Sequence, residues 1–427
     1  MKNVYQILKE RGFIEQCTDE EGLGKLLGEG PQTFYCGFDP TASSMHIGNL
    51  IPVMALRTIQ RAGHKVIVLT GGATGMIGDP SGKSEERNFL SEDDLKNNLE
   101  LMAKQFGRFI SFEEQDDFPA AIMVNNFDWT KDVTIIEWLR DIGKQFSVNM
   151  MVNKESVRRR FEDRDQGISY TEFSYMLLQA FDFDQLYKMY GCRVQVGGKD
   201  QWGNITSGID LIRRNGGEQA FGFTLGLLLT ASGEKFGKSQ GGAIFIDPEL
   251  TSIWDLYQFY IRSDDKDVIK LLKLFSDLPI EEIEELAKQH EENPGKREAH
   301  KRLAYEATKL IHGTEQAEKM VKGAEALYAG RLEELDADLI SQVFKAGPVT
   351  EVAENDLSEG VPLVDLVADS GLVKSKGEAK RMMKQGALYI NDKRAENERV
   401  VTSEDILPSQ TVILRKGKRD YCVVKVK

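Results

Sequence analysis

The sequence predicts an α/β protein with a mostly parallel sheet, followed by an all-helical domain and a small α+β domain. Three observations carry this. Between residues 30 and 245, short apolar runs at 33–38, 66–70, 121–125, 194–196 and 223–230 alternate with stretches of helical period, the pattern of βαβ units. Residues 248–320 turn rich in Leu, Ile, Glu and Lys, with few turn signals. Near the end the order becomes helix, helix, turn, strand, and basic residues dominate. The expected domains are 1–247, 248–320 and 356–427, with the acidic stretch 321–355 as a linker.

Residues 1–30 read as a helical lead-in closed by the turn Gly28-Glu29-Gly30-Pro31. Hydrophobic residues make up 41% of the 427 and charged residues 29%, which fits a folded chain and argues against disorder. No run approaches the roughly 18 apolar residues of a membrane span, and the N-terminal stretch lacks the apolar core of a signal peptide. Cys17, Cys36, Cys192 and Cys422 lie far apart, with neither zinc spacing nor a disulfide framework. A cytoplasmic protein with reduced thiols, and no membrane partner, is expected.

The net charge of −13 disfavours a protein that coats nucleic acid along its whole surface. The total is uneven, however. Residues 374–427 hold fourteen basic against seven acidic side chains, net +7, which leaves −20 for the rest.

The first strand shows alternation. Phe34, Cys36 and Phe38 share one face; Tyr35, Gly37 and Asp39 share the other. Tyr, Gly and Asp make an unusual packing face, and Gly37 leaves room for a ligand against the backbone. Pro40 ends the strand. A helix then opens near His46, because Ile47, Leu50, Ile51 and Met54 fall at i, i+3, i+4 and i+7. Such a helix start favours anions. A lone histidine there is more often a packing or capping residue; the Asp39-Pro40-Thr41 before it is what favours a phosphate role.

The run Gly37-Phe38-Asp39-Pro40-Thr41, with His46-Ile47-Gly48-Asn49 after it, resembles the first signature of the class I aminoacyl-tRNA synthetases in their bacterial, tyrosyl form. Asn49 stands where that family usually has His, and its amide keeps a donor for the ribose. The resemblance implies a Rossmann-like catalytic domain and ATP as a substrate, with magnesium. Thr41 and His46 would act on the phosphates, and Gly37, Asp39, Gly48 and Asn49 would hold the nucleotide.

The glycine-rich run after the 66–70 strand ends in Gly82-Lys83-Ser84, which suggests a P-loop. That motif needs glycine five positions before Gly82, and Ile77 stands there. Asp79 would also put a carboxylate in the phosphate cradle. The resemblance instead matches Asp79 to the carboxylate that pairs with a substrate ammonium, and Lys83 and Arg87 to basic residues that reach the pyrophosphate.

In 169–182, Tyr175, Gln179 and Asp182 recur at i, i+4 and i+7, so all three project from one helical face. This suits either a polar pocket or ordinary amphipathic decoration. Under the resemblance, Tyr175 and Gln179 hold the ammonium beside Asp79, while Asp182 and Tyr35 bind the phenol hydroxyl of tyrosine. Phenylalanine would leave both buried groups unpaired, which is costly. Gln195 and Gln201 match the carboxylate and adenylate region, and Gly198 and Asp200 the ribose turn.

The loop Lys235-Phe236-Gly237-Lys238-Ser239 resembles the second signature of these enzymes. Lys235 and Lys238, three apart on a glycine-rich loop, suit a pyrophosphate clamp. A tryptophanyl enzyme would share both signatures; Tyr35 with Asp182 and the basic tail favour tyrosine. A decayed, purely RNA-binding relative is the other alternative, and the presence of His46, Lys235 and Lys238 argues against it. The tail resembles the small RNA-binding domain of bacterial tyrosyl enzymes. Its candidate contacts are Lys376, Lys380, Arg381 and Lys384 on a helix and Arg415, Lys416, Lys418 and Arg419 in a terminal hairpin. The family further implies a homodimer, with 127–151 as an interface or as core, tRNA(Tyr) as partner, and 248–320 as an anticodon-side domain.

Overall fold

Six strands make the central sheet: β1 (Ile14–Cys17), β2 (Thr33–Phe38), β3 (Lys65–Thr70), β4 (Ile122–Asn125), β5 (Val194–Gly198) and β6 (Phe221–Leu225). Their spatial order is β1-β6-β5-β2-β3-β4. The computed structural model describes residues 3–40, 42, 44–79, 81, 92–154, 157–158, 168–231, 233–234, 236–239, 242–345, 347–417 and 420–427. All neighbouring strands are parallel except β1, which runs antiparallel to β6. The apolar run of β3 is buried along almost its whole length, as expected of a parallel strand covered on both faces.

Chain order and spatial order part company at β2. β3 and β4 lie to one side, and β5 and β6 to the other. Connections that leave in opposite directions cannot cover the carboxyl ends of β2 and β5, so a crevice opens there. The register sets Tyr35 opposite Gln195 at this point.

The Tyr170–Tyr190 helix supplies the next wall. Ser169 starts it, its hydroxyl accepting from the Glu172 N–H at 3.2 Å. Gly191, at φ 61°, ends it in the left-handed conformation, and its N–H donates to the Tyr187 carbonyl at 2.9 Å. Phe183 and Leu186 pack with Tyr35, Ile67, Leu69 and Ile212 into one apolar layer. The helix expected near His46 begins as a 3-10 turn at Ile47–Asn49 and continues as Leu50–Arg61. Ile47, Leu50, Ile51 and Met54 are all buried, as their spacing predicts.

Two strands differ from expectation. The lead-in is not wholly helical: β1 lies between the helices Val4–Glu10 and Glu20–Gly28. It is only four residues long and has no buried residue, so it lacks a strong period. The sixth strand is Phe221–Leu225 rather than 223–230, because the Gly226 N–H turns out to the Phe13 carbonyl at 3.1 Å.

The chain divides into two compact units, residues 1–250 with 263–306, and residues 251–262 with 307–427. This departs from the expected boundaries. The stretch 248–320 is shared between the units for two reasons. The Val268–Phe275 helix packs against Leu50–Arg61, where Arg57 and Arg61 meet Asp277 at 2.6 and 3.0 Å. The Ile253–Ile261 helix instead packs on Thr314–Tyr328 and Ala337–Val343. The stretch 321–355, expected as a linker, contains regular structure. It holds the end of Thr314–Tyr328, all of Ala337–Val343 and, numbered after two short strands β7 (Lys238–Ser239) and β8 (Gly242–Ala243) of the first unit, the strand β9 (Val349–Val352).

β9 is the edge of a five-stranded sheet in the second unit. β10 (Val361–Pro362) and β13 (Val400–Val401) form a separate pair, while β11 (Leu388–Ile390), β12 (Lys393–Arg394), β14 (Thr411–Lys416) and β15 (Asp420–Val426) complete the sheet in the order β12-β11-β14-β15-β9. β9 runs parallel to β15, Val349 opposite Val423. Val412, Leu414, Cys422 and Val424 send alternate side chains into a core shared with Leu363, Leu366, Ala379 and Met383. No helix among the described residues is long and apolar enough to cross a membrane.

Gly222, in β6, tests the packing of the central sheet. A Cβ there would stand 2.2 Å from Ile205 Cγ2 and 3.3 Å from the Gln195 carbonyl oxygen. Ile205 is fully buried and cannot withdraw. Gly222→Val should therefore lower the unfolding free energy by about 1–3 kcal/mol, read from urea denaturation; an unchanged midpoint would contradict it.

Candidate active site

A cavity of about 350 Å³ opens at the carboxyl ends of β2 and β5. Its lining includes Tyr35, Gly37, Asp39, Asn49, Asp79, Tyr175, Gln179, Asp182, Gln195, Gly198, Asp200 and Gln201. Twelve residues singled out in the sequence, spread over some 170 positions, thus meet in one pocket.

At its deep end Tyr35 is fully buried, its ring 5.1 Å from that of Phe183. Among the described residues its hydroxyl has no hydrogen-bond partner. Asp182, also buried, accepts from Asn126 Nδ2 and from Trp129 Nε1, each at 2.9 Å. Burial pushes its carboxyl up to about 7, against the pull of those two donors, and Asp39 adds to the rise. Gln195, one strand over, is buried with its side-chain oxygen unpartnered among the described residues. Two orphaned polar atoms in a ligand-sized cavity are costly unless a ligand completes them.

Nearer the mouth, Asp79 accepts from the Ser81 N–H at 2.9 Å and from Gln201 Nε2 at 2.6 Å. Burial raises its carboxyl above the usual range. Burial also raises the Tyr175 hydroxyl, with Asp39, Asp79 and Asp182 as further causes. Three carboxylates acting on one phenol define an anionic chamber suited to a cation. Asn204, buried, donates to Gln179 Oε1 and to Gln201 Oε1 at 3.1 Å each, and so orients both amides.

Four of these residues were not singled out in the sequence. Asn126 accepts from the Ala73 N–H at 2.7 Å and donates to Thr74 Oγ1 at 3.0 Å as well as to Asp182. Thr74 in turn donates to Asp39 at 3.2 Å. Asn126, Trp129, Thr74 and Asn204 thereby hold the carboxylates and amides in place. The only local signals were Asn125-Asn126 closing an apolar run and Asn204 one helical turn after Gln201.

The two signature segments meet beside the pocket. The Ile47 N–H donates to the Ile244 carbonyl at 2.9 Å, and the Ile246 N–H to the Met45 carbonyl at 3.0 Å. Gly237 has φ 91°, and a Cβ on it would lie 2.9 Å from Ile47 Cγ1, so a larger residue is excluded by both conformation and space. His46 heads the 3-10 turn, its backbone N–H donating to Asn49 Oδ1 at 3.1 Å. His46 and Gly48 are not part of the cavity lining. Lys238 lies in β7, paired with Ala243. Thr41, Lys83, Arg87 and Lys235 lie outside the described residues, as do Lys418 and Arg419 of the tail.

In the tail, the Lys376–Lys384 helix buries Ala379 and Met383 and leaves Lys376, Lys380, Arg381 and Lys384 exposed. Lys376 pairs with Asp365 at 3.0 Å. Lys416 pairs with Asp420 at 3.3 Å. Arg415 is drawn inward: its Nε donates to Asp392 at 2.7 Å and its guanidinium lies 3.6 Å over the Tyr389 ring. The helix therefore offers more free positive charge than the hairpin does among the described residues.

A doubly wound sheet, a pocket at its switch point and two signature loops side by side define a nucleotide-dependent α/β enzyme. A family model for the class I tRNA synthetases (W and Y) matches residues 28–329, and the chain belongs to that family. A second model, the Tyrosine--tRNA ligase SYY-like C-terminal domain, matches residues 339–424. A Tyrosine--tRNA ligase of Listeria innocua is 50% identical over 428 residues, covering 100% of both chains. One of Bacillus velezensis is 47% identical and covers 99% of this chain and 100% of its own. Among solved structures, a C-terminally truncated mitochondrial tyrosyl-tRNA synthetase of Aspergillus nidulans is 32% identical with a TM-score of 0.69, covering 77% of this chain and 94% of its own.

The raised Asp182 carboxyl has a consequence for the ligand-free chain. The folded state keeps a proton until about pH 7, which the unfolded chain releases near about pH 4. The group's contribution to stability is full below the unfolded value and is lost as pH rises through the folded one. Relative to Asp182→Asn, which cannot titrate, the wild-type chain should lose about 2 kcal/mol between about pH 5 and about pH 8. Urea unfolding of both chains at the two pH values measures this; a constant difference would refute it.

Proposed function

We propose that this chain is a tyrosine–tRNA ligase, which joins tyrosine to ATP as tyrosyl-adenylate, releases pyrophosphate, and transfers tyrosine to the 3′ end of tRNA(Tyr). One observation carries the choice of amino acid. Among the described residues the buried Tyr35 hydroxyl lacks a partner, and it feels the buried Asp182 carboxylate beside it. A substrate phenol would donate to Asp182 and accept from Tyr35. Its ammonium fits among Asp79, Tyr175 and Gln179, and Gln195 and Gln201 face the carboxylate and adenylate.

The nucleophile is the substrate carboxylate, already an anion, so no side chain need remove a proton. It attacks the α-phosphorus in line and pyrophosphate leaves. Catalysis then rests on positioning and on donors aimed at the developing charge: Thr41, His46, Lys83, Arg87, Lys235 and Lys238. Gly37, Asp39, Gly48, Asn49, Gly198 and Asp200 hold the nucleoside. Magnesium accompanies the ATP phosphates, whose oxygens and water supply much of its shell. In the second step the terminal tRNA hydroxyl attacks the adenylate carbonyl and AMP leaves.

The working molecule is a cytoplasmic homodimer. Within 127–151, Ile142, Phe146 and Met151 are buried while Ile135, Ile136 and Leu139 are 75%, 66% and 53% exposed. The segment is thus both core and uncovered apolar surface, and the latter suits a second copy of the chain. Residues 1–247 form the catalytic part, 248–320 the anticodon-side part and 356–427 the RNA-binding part.

Tyrosine-dependent ATP–pyrophosphate exchange is the deciding measurement. Exchange with tryptophan alone, or with neither amino acid, would overturn the assignment. Lys238→Ala should slow the exchange by about 100-fold and leave the tyrosine dissociation constant within about twofold. Normal single-turnover adenylate formation in that variant would remove Lys238 from the mechanism.

The tail is tested separately. Among the described residues, Lys380, Arg381 and Lys384 are exposed without an ion-pair partner. Changing all three to Glu should leave pyrophosphate exchange intact and weaken tRNA binding by more than about tenfold. It should also flatten the dependence of that binding on salt. Unchanged tRNA affinity would dissociate this helix from RNA binding.

A further inference from the structure

Two of the chain's five histidines meet outside the pocket, on the helical part of the first unit. His290 lies near the end of the Ile280–Glu292 helix and His300 in the first turn of Glu298–His312. Both face Asp265, on the loop before Val268–Phe275. His300 Nε2 is 3.2 Å and His290 Nε2 4.0 Å from Asp265 Oδ1, and one potential ligand atom from each of the three side chains falls within 4.8 Å of the others. The rings stand 5.4 Å apart.

The chemistry of this cluster is that of a metal site. Two imidazoles and a carboxylate are the donor set borderline divalent ions prefer. Ligands about 2.0–2.2 Å from a tetrahedral centre lie about 3.3 Å from one another, close to the shorter observed separation. His300 is fully buried, and burial holds its imidazole toward the neutral form, with Arg297 and His290 acting in the same sense and Asp265 against. Neutral imidazole is the form that binds metal. The backbone carbonyls of Ser263 and Asp265, each 3.2 Å from a histidine Nε2, are further oxygen donors at the same place. Among the described residues each ring's Nδ1 is buried without a partner, so both rings are anchored through Nε2 alone.

We propose that Asp265, His290 and His300 form a binding site for one divalent transition-metal ion of the zinc type. The ion ties the 263–267 loop to the ends of two helices and is structural, because none of the three residues lines the catalytic cavity. Arg297 is its competitor: Arg297 Nη1 lies 3.8 Å from Asp265 Oδ1 and supplies positive charge when no ion is bound.

The test uses the full chain, stripped with chelator and titrated with Co²⁺ and then Zn²⁺. One equivalent of Co²⁺ should give the visible d–d bands of nitrogen and oxygen ligation, without a thiolate charge-transfer band, and Zn²⁺ should bleach them. Asp265→Asn and His290→Gln should each weaken Co²⁺ binding by more than about tenfold. They should also abolish the rise in Tm that Zn²⁺ gives the wild-type chain. Asp265 is 56% exposed at its side chain, so its variant folds even where a change at buried His300 does not; circular dichroism in chelator checks this. No Co²⁺ uptake by the wild-type chain, equal uptake by both variants, or a thiolate band would each overturn the proposal.

Discussion

The crevice at the carboxyl ends of β2 and β5 is the constraint from which the rest of the molecule follows. Once β3 and β5 lie on opposite sides of β2, the loops leaving these strands must diverge. Whatever occupies the gap meets the strand ends side on. Tyr35 and Gln195 face it because the parallel register sets them opposite each other. The Tyr170–Tyr190 helix closes the back, and its i, i+4, i+7 stripe then points inward. Asn126 fixes the arrangement. Its three side-chain hydrogen bonds, to Ala73, Thr74 and Asp182, tie the ends of β3 and β4 to that helix. Any shift of β4 would therefore be felt at the buried Asp182 carboxylate.

The pocket is also an electrostatic compromise. Asp39 acts on Asp182, Asp200 acts on Asp79, and Asp39, Asp79 and Asp182 all act on Tyr175, so negative charge crowds the empty site. A ligand that brings a cationic group into the chamber would relieve it.

Much of this was legible in the sequence because it rests on short periods. Alternation in β2 put Tyr35, Gly37 and Asp39 on one face, and helical spacing grouped Tyr175, Gln179 and Asp182. Both depend only on neighbours in the chain. Asn126, Trp129, Thr74 and Asn204 were hidden for the converse reason. Each is one polar residue at the end of an element, and its role exists only where another element arrives. β1 and β9 escaped notice in the same way. Each is four residues long without a buried face, and each is a strand only because β6 or β15 presents an edge to it.

The basic tail shows how far a charge count can be carried. Residues 374–427 hold fourteen cationic side chains, yet the fold uses several of them internally. Arg415 is clasped by Asp392 and Tyr389, Arg399 by Asp405 at 2.7 Å, and Lys427 meets Glu351 at 2.6 Å. Among the described residues, Lys380, Arg381 and Lys384 stay exposed together on the outer face of the Lys376–Lys384 helix, because Ala379 and Met383 fix its inner face against the core. A focused patch on a body that is otherwise net negative binds a polyanion in few places and repels it elsewhere.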